Sequence, residues 1–176
     1  FDFLKFSFSK VYFINYLIFT PFFMASKLKL IEAGKVKEMF ISKFMKGLST
    51  VQIEVLAQAY FNQNHEKLIY SKANTYIKEI SNYHDKFIVS ASIDFWLKPF
   101  ADYYGMGLIC TQSAFDEQGI FTGKFASKNC NHEVKKIRIE TEIDLTFYDE
   151  IIAFGDTKGD EAMFSISTQT NFRYFN

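Results

Sequence analysis

Cysteine is scarce in this chain. Cys110 and Cys130 are the only two. They form neither a metal-binding pattern nor a disulfide framework, which fits a reducing cytoplasm. An excess of one charge is also lacking: 20 basic and 20 acidic side chains cancel, so nothing in the balance argues for a nucleic-acid partner. No apolar run reaches the roughly 20 residues of a membrane-spanning helix. The strongest, VYFINYLIFTPFFMA at 11–25, falls short and contains Pro21 between Lys10 and Lys27. It is expected to be a buried or partly exposed amphipathic helix pair interrupted at the proline, with peripheral contact at a membrane surface as its other use. No small-residue cleavage site follows it, and the chain does not open on Met and a basic region, so it does not read as a signal peptide. Internal repeats and low-complexity segments are absent.

Aromatic side chains are abundant. Phe 22 and Tyr 10 in 176 residues imply large buried side chains, a greasy pocket, or both. The length suffices for one sizeable core, or a core with a small appended module.

Helical periodicity dominates to about residue 80. KLKLIEAGKVKEMFISKFMKG sets Ile31, Val36, Met39, Phe40 and Phe44 at helical spacing and stops at Gly47. Ser49, with Gln52 three positions on, predicts a capping box for the next helix. SKANTYIKEISNYHD reads as another helix with Tyr76, Ile77 and Ile80 on one face. The texture changes at residue 86. KFIVSAS is a short apolar run ending in hydroxylated residues, as a buried parallel strand does when it ends at a site. IDFWLKPFADYYGM predicts a helix bent at Pro99, GLICTQSAF a strand, DEQGIFTGKF a hairpin turning on Gly119, and HEVKKIRIETEI a helix. DEIIAFGD then predicts a strand, DEAMFSIS a short helix and NFRYF a last strand. This alternation predicts an α/β fold with a doubly wound, mostly parallel Rossmann-like sheet. FDF at residues 1–3 reads as its first strand. The helical block after it reads as an insertion.

Four places could carry chemistry. Asp156 ends an apolar strand where ligands bind in open parallel sheets, and Asp160 follows by one turn. Gly155 removes bulk and Gly159 permits the turn. The pair is either a helix cap or part of a site for a hard cation. Ser90 to Ser92, with the Ala91 amide between them, gathers hydroxyls and N–H groups in front of a helix, which suits an oxyanion. Capping by Ser92 is the plainer use. Lys135 and Lys136 lie near a helix start, where the dipole gives cations nothing, so they face either a negative ligand or water. Asp2, between two phenylalanines, needs a partner if it lies in a strand.

Taken in this order, FDF, FIVSAS, NCNHEVK and GDTKGDEAM resemble the four motifs of the haloacid dehalogenase superfamily, in its phosphoserine-phosphatase-like branch. The resemblance implies an α/β core from residues 1–4 and 72–176, with a helical cap at 5–71 that closes over the site and reads the leaving group. It also implies a phosphomonoesterase. Asp2 would attack phosphorus to form an aspartyl-phosphate. Mg2+ would lie among Asp2, Asp156 and Asp160. Ser90, Ala91 and Lys135 would hold the phosphoryl oxygens. The substrate would be a small phosphorylated metabolite in the cytoplasm, phosphoserine or a partly apolar ester. The alternative is an inactive homologue that binds ligands or membrane surfaces. The chain departs from the family pattern in two places. After FDF it continues Leu4, Lys5, Phe6 instead of Asp, Gly, Thr, which suggests a loop absent between Phe3 and Leu4. The glycine of the third motif is replaced by His132.

Overall fold

A computed structural model describes residues 1–80 and 84–175. The first expectation fails at the first residues. DFLKFS forms helix α1 (Asp2–Ser7), and the Lys5 amide donates to the Phe1 carbonyl across Phe3 and Leu4. Phe3 and Leu4 are adjacent and both buried, Phe3 against the rings of Tyr60 and Trp96, so packing against neighbouring helices holds the segment. With no strand there, the strand-to-helix join that suggested an absent loop disappears as well.

Helix α2 (Ser9–Lys27) continues through Pro21 as a single element, not a pair. Pro21 lies on an exposed side of the helix, where water can satisfy the carbonyl group its ring deprives of a donor. Helix α3 (Ala33–Met45) buries Val36, Phe40, Ile41 and Met45 at helical spacing and is followed by Gly47 at φ +88°. Helix α4 (Thr50–Leu68) starts on the predicted box: the Ser49 amide donates to Gln52 Oε1 at 2.9 Å and the Gln52 amide to Ser49 Oγ at 3.3 Å. Helix α5 spans Ser71–Glu79; the rest of its predicted stretch includes 81–83, outside the described residues.

Strand β1 (Phe87–Ile93) leads into helix α6 (Asp94–Tyr104), which contains Pro99 at its centre. Strand β2 (Gly107–Thr111) pairs parallel to β1. Strands β3 (Ser113–Phe115) and β4 (Phe121–Phe125) form the predicted antiparallel hairpin, with Gly119 at φ +72°. Helix α7 (Glu133–Glu142), strand β5 (Ile152–Gly155), helix α8 (Glu161–Phe164) and strand β6 (Gln169–Phe172) complete the chain, with β6 parallel to β5.

The parallel strands follow the α/β order expected but do not form one sheet. β1 pairs with β2 and β5 with β6, and among the described residues no ladder joins the two halves. The Gly107 amide donates to the Lys86 carbonyl, so alternate residues from Lys86 address β2 and Val89 addresses the other side. By the same parity, the Ile151 and Gly155 carbonyls accept from residues around β6, which leaves Ile152 and Phe154 facing away from it. The halves are tied by side chains instead. Tyr148 donates its hydroxyl to Asp85 Oδ2 at 2.5 Å before the strands begin. Val89 and Ala153 share one apolar cluster with Ile139 of α7 and Met163 of α8.

The larger core joins the helical block to α6. Phe3, Phe40, Ile41, Met45, Ile53 and Tyr60 pack in one cluster with Phe95, Trp96 and Phe100. Phe40 is wholly buried, with the rings of Tyr12, Phe19, Phe23 and Phe44 around it. Much of the aromatic content is thus spent on packing.

Candidate active site

The site forms where β1, β2 and β5 end. A bulge between Ser90 and Ile93 takes Ala91 and Ser92 out of register. Ser90 Oγ accepts the Ser92 amide at 3.0 Å, which curls the backbone at the strand end. Ser92 does not cap α6: the residue before the helix is Ile93, with no capping side chain, and Asp94 binds the Phe95 amide instead. Thr111, fully buried at the end of β2, donates to the Ala91 carbonyl at 2.8 Å and accepts the Cys130 amide at 3.0 Å. The strand end and the NCN loop are therefore locked together.

Lys135 enters this corner from the first turns of α7. It is buried, with 7% of its surface exposed, and Nζ donates to the Val89 carbonyl at 3.1 Å and to Asp160 Oδ1 at 2.5 Å. The other oxygen of Asp160 accepts from Thr157 Oγ1 at 2.9 Å and from the amides of Thr157 and Asp156 at 3.0 and 3.2 Å. Burial alone would raise the Asp160 carboxyl, but the hydrogen bonds from Lys135 and Thr157 outweigh it and hold the group below the usual carboxylate value. Two glycines make this fold-back possible. A Cβ on Gly155 would lie 2.7 Å from Asp160 Cβ, and one on Gly159 would lie 2.2 Å from Asn131 Oδ1. The capping carboxylate of GDTKGD is thus Asp160, while the Asp156 side chain is exposed.

Lys37, on α3, is a component the sequence reading missed. Its Nζ donates to the Ala91 carbonyl and, at 3.0 Å, to Asn129 Oδ1. Burial lowers its pKa to about 8. Nothing in its local spacing distinguishes it from the other lysines of its helix. The opposite effect acts on the thiols: burial pushes Cys110 up to about 12 and raises Cys130 too, so both are packing groups and not nucleophiles.

Ser90, Ala91, Lys135, Asp156 and Asp160 are therefore brought to one corner. Asp2 is not. It lies exposed on α1, in a groove lined by Lys5, Phe6, Tyr60 and Asn64, because α1 packs between α2 and α4 and not beside β1. Lys136 is half-buried and comes only within 4.0 Å of Glu140. The three aspartates expected around Mg2+ do not converge, and among the described residues no three of His, Cys, Asp and Glu are grouped to hold a metal ion. Both Asp160 oxygens are engaged, which leaves Asp156 as the free carboxylate of the pair. By themselves these residues do not make a complete magnesium site.

A family model described as haloacid dehalogenase-like hydrolase matches residues 15–165. Protein CicA from two strains of Caulobacter vibrioides is 30% identical over 148 residues, which is 81% of this chain and 64% of the relative. The chain thus spans somewhat less than two thirds of the length of these curated relatives. Among solved structures, a protein of unknown function from Bordetella pertussis Tohama I superposes with a TM-score of 0.73 at 16% identity, over 84% of this chain and 69% of that one. A probable phosphoserine phosphatase from Vibrio cholerae gives 0.65 at 14% identity, over 88% and 46%. At those identities the likeness is one of fold. With a family match over most of its length, parallel strands in α/β order and a buried lysine–aspartate pair at their carboxyl ends, the chain belongs to the haloacid dehalogenase-like hydrolases.

Proposed function

We propose that the protein binds a small phosphate monoester at the end of β1 and hydrolyses it. Phosphoserine is one candidate substrate, and a partly apolar ester fits the aromatic helical block better. The observation that carries this reading is the buried Lys135 Nζ, held 3.1 Å from the Val89 carbonyl next to Ser90. A fixed cation at that point, with the Ser90 hydroxyl, the Ala91 amide and the second cation Lys37, meets the charge of a phosphoryl group in a site already partly dry. Asp160 holds Lys135 in place. Asp156 faces outward at the rim. Magnesium enters this proposal only as a counter-ion of bound phosphate on Asp156, since Mg2+ is commonly shared between one or two carboxylates and substrate oxygens; no step depends on it.

A second reading is favoured by one observation. The carboxylate expected to attack phosphorus, Asp2, stands on α1 outside this corner. A phosphate-binding homologue without turnover would look the same. Phosphate release from p-nitrophenyl phosphate, and from a panel of small esters with and without Mg2+, separates the two. Turnover that falls about 100-fold or more in Lys135→Met and stays unchanged in Asp2→Asn supports the hydrolase. Measurable binding of inorganic phosphate with no release from any ester supports the second reading. Release undiminished in Lys135→Met removes the first.

A further inference from the structure

Helix α2 carries an apolar face that nothing among the described residues covers. Phe13, Ile14, Leu17, Ile18, Met24 and Leu28 are all exposed, Leu17 by 74%. At 1.5 Å per residue their stripe runs about 22 Å from Phe13 to Leu28. Tyr12, on the opposite side, is buried against Phe40 and Phe44, so the helix is fixed to the body by one face and presents the other. A stripe of this size is larger than the single exposed hydrophobes of ordinary surfaces.

The surrounding charges identify the partner. Between Asp2 and Glu32 the chain has four lysines, Lys5, Lys10, Lys27 and Lys29, and no acidic residue, although its overall charge is zero. All four are exposed. Two flank the start of the stripe and two its end, on stems long enough to reach headgroups while the apolar side chains sit lower. We propose that α2 is a docking helix that lies in the surface of an anionic lipid bilayer, with Leu17 and Ile18 near its deepest point. An apolar face left outward on a helix fixed by its other side, with lysines at both ends, suits a helix that lies in the membrane interface. No helix among the described residues is long and apolar enough to cross a membrane. A second copy of the chain is a poorer occupant: pairing α2 antiparallel with itself would set Lys10 beside the other copy's Lys27 and Lys29, with no acid to pair them.

The test is vesicle flotation of the full chain with phosphatidylcholine alone and with phosphatidylcholine containing phosphatidylglycerol. The chain is expected to float with the anionic vesicles, to release in high salt, and to bind neutral vesicles much less. Combining Lys10→Glu, Lys27→Glu and Lys29→Glu should weaken binding more than 100-fold, at about fivefold for each lysine removed from an anionic surface. Leu17→Asp should abolish flotation while circular dichroism and thermal melting stay unchanged. If Leu17→Asp proves unstable, Leu17→Ser serves the same purpose. Failure to float with anionic vesicles overturns the proposal, as does equal binding to neutral ones or flotation unaffected by Leu17→Asp. A concentration-dependent dimer that Leu17→Asp dissociates, without lipid binding, would assign the face to a second copy and overturn it too.

Discussion

Lys135 and Asp160 form the pair on which the corner depends, and its energetics can be read in acid. The Asp160 carboxyl lies below its ordinary value when folded, so the unfolded chain binds its proton first. The stability this group contributes is full above the unfolded carboxylate range near pH 4 and is lost as pH falls through the lower, folded value. Breaking a buried pair leaves the other charge uncompensated, at about 3 kcal/mol. Urea unfolding should therefore find Lys135→Met about 3 kcal/mol less stable at pH 7, with the difference from the parent shrinking between pH 5 and pH 2. A constant difference would mean that the pair is not what the substitution removed. His132 makes a second test. It replaces the glycine of the third motif and sits at φ 50°, ψ −130°, a region that costs a side chain of order 1–3 kcal/mol. Part of that cost is offset because glycine loses more freedom on folding. His132→Gly should stabilise the fold by about 1 kcal/mol in the same assay. Both residues were visible in the sequence as positions. Their pairing and strain were not, because Lys135 meets Asp160 across 25 residues of chain only after Gly155 and Gly159 let the last motif fold back. Lys37 gave no signal at all, since its partner Ala91 is 54 residues away.

At the scale of elements, capping and turn chemistry were legible because they act locally. The Ser49–Gln52 box, the Gly119 hairpin and the hydroxyl-ended strand β1 all stand where their residues predicted. Two elements went against the reading for reasons of packing. FDF alternates over three residues, but burial of both Phe3 and Leu4, with Phe3 against the rings of Tyr60 and Trp96, rewards a helix. Pro21 lies on an exposed side of α2, and the helix passes it. The parallel sheet poses a further question, because strand order could be read and strand pairing could not. With β1 and β5 unjoined, their outer amides have no ladder partner among the described residues. Hydrogen exchange should find Val89 and Phe154 far less protected than Ile88 and Ala153, whose groups address β2 and β6. Equal protection of all four would mean that the two halves are paired in solution.

For the whole molecule, the fold class was legible while the division of surfaces was not. The chain exposes 11043 Å², against about 8,900 Å² for a compact protein of its mass. The outward face of α2 and the outer edges of β1 and β5 fit that excess. One continuous core links the helical block to α6, so movement of the block would be felt at the end of β1, where Lys37 of α3 already touches Ala91. A ligand at that corner would thus be gripped by two cations from different parts of the chain, Lys135 from below and Lys37 from the helical block. Calorimetric titration with inorganic phosphate tests this most directly. The parent and Asp2→Asn should bind alike, while Lys135→Met should bind at least about tenfold more weakly, the loss of one charge-assisted hydrogen bond. Unchanged affinity in Lys135→Met, or affinity lost in Asp2→Asn, would contradict a phosphoryl site at the end of β1.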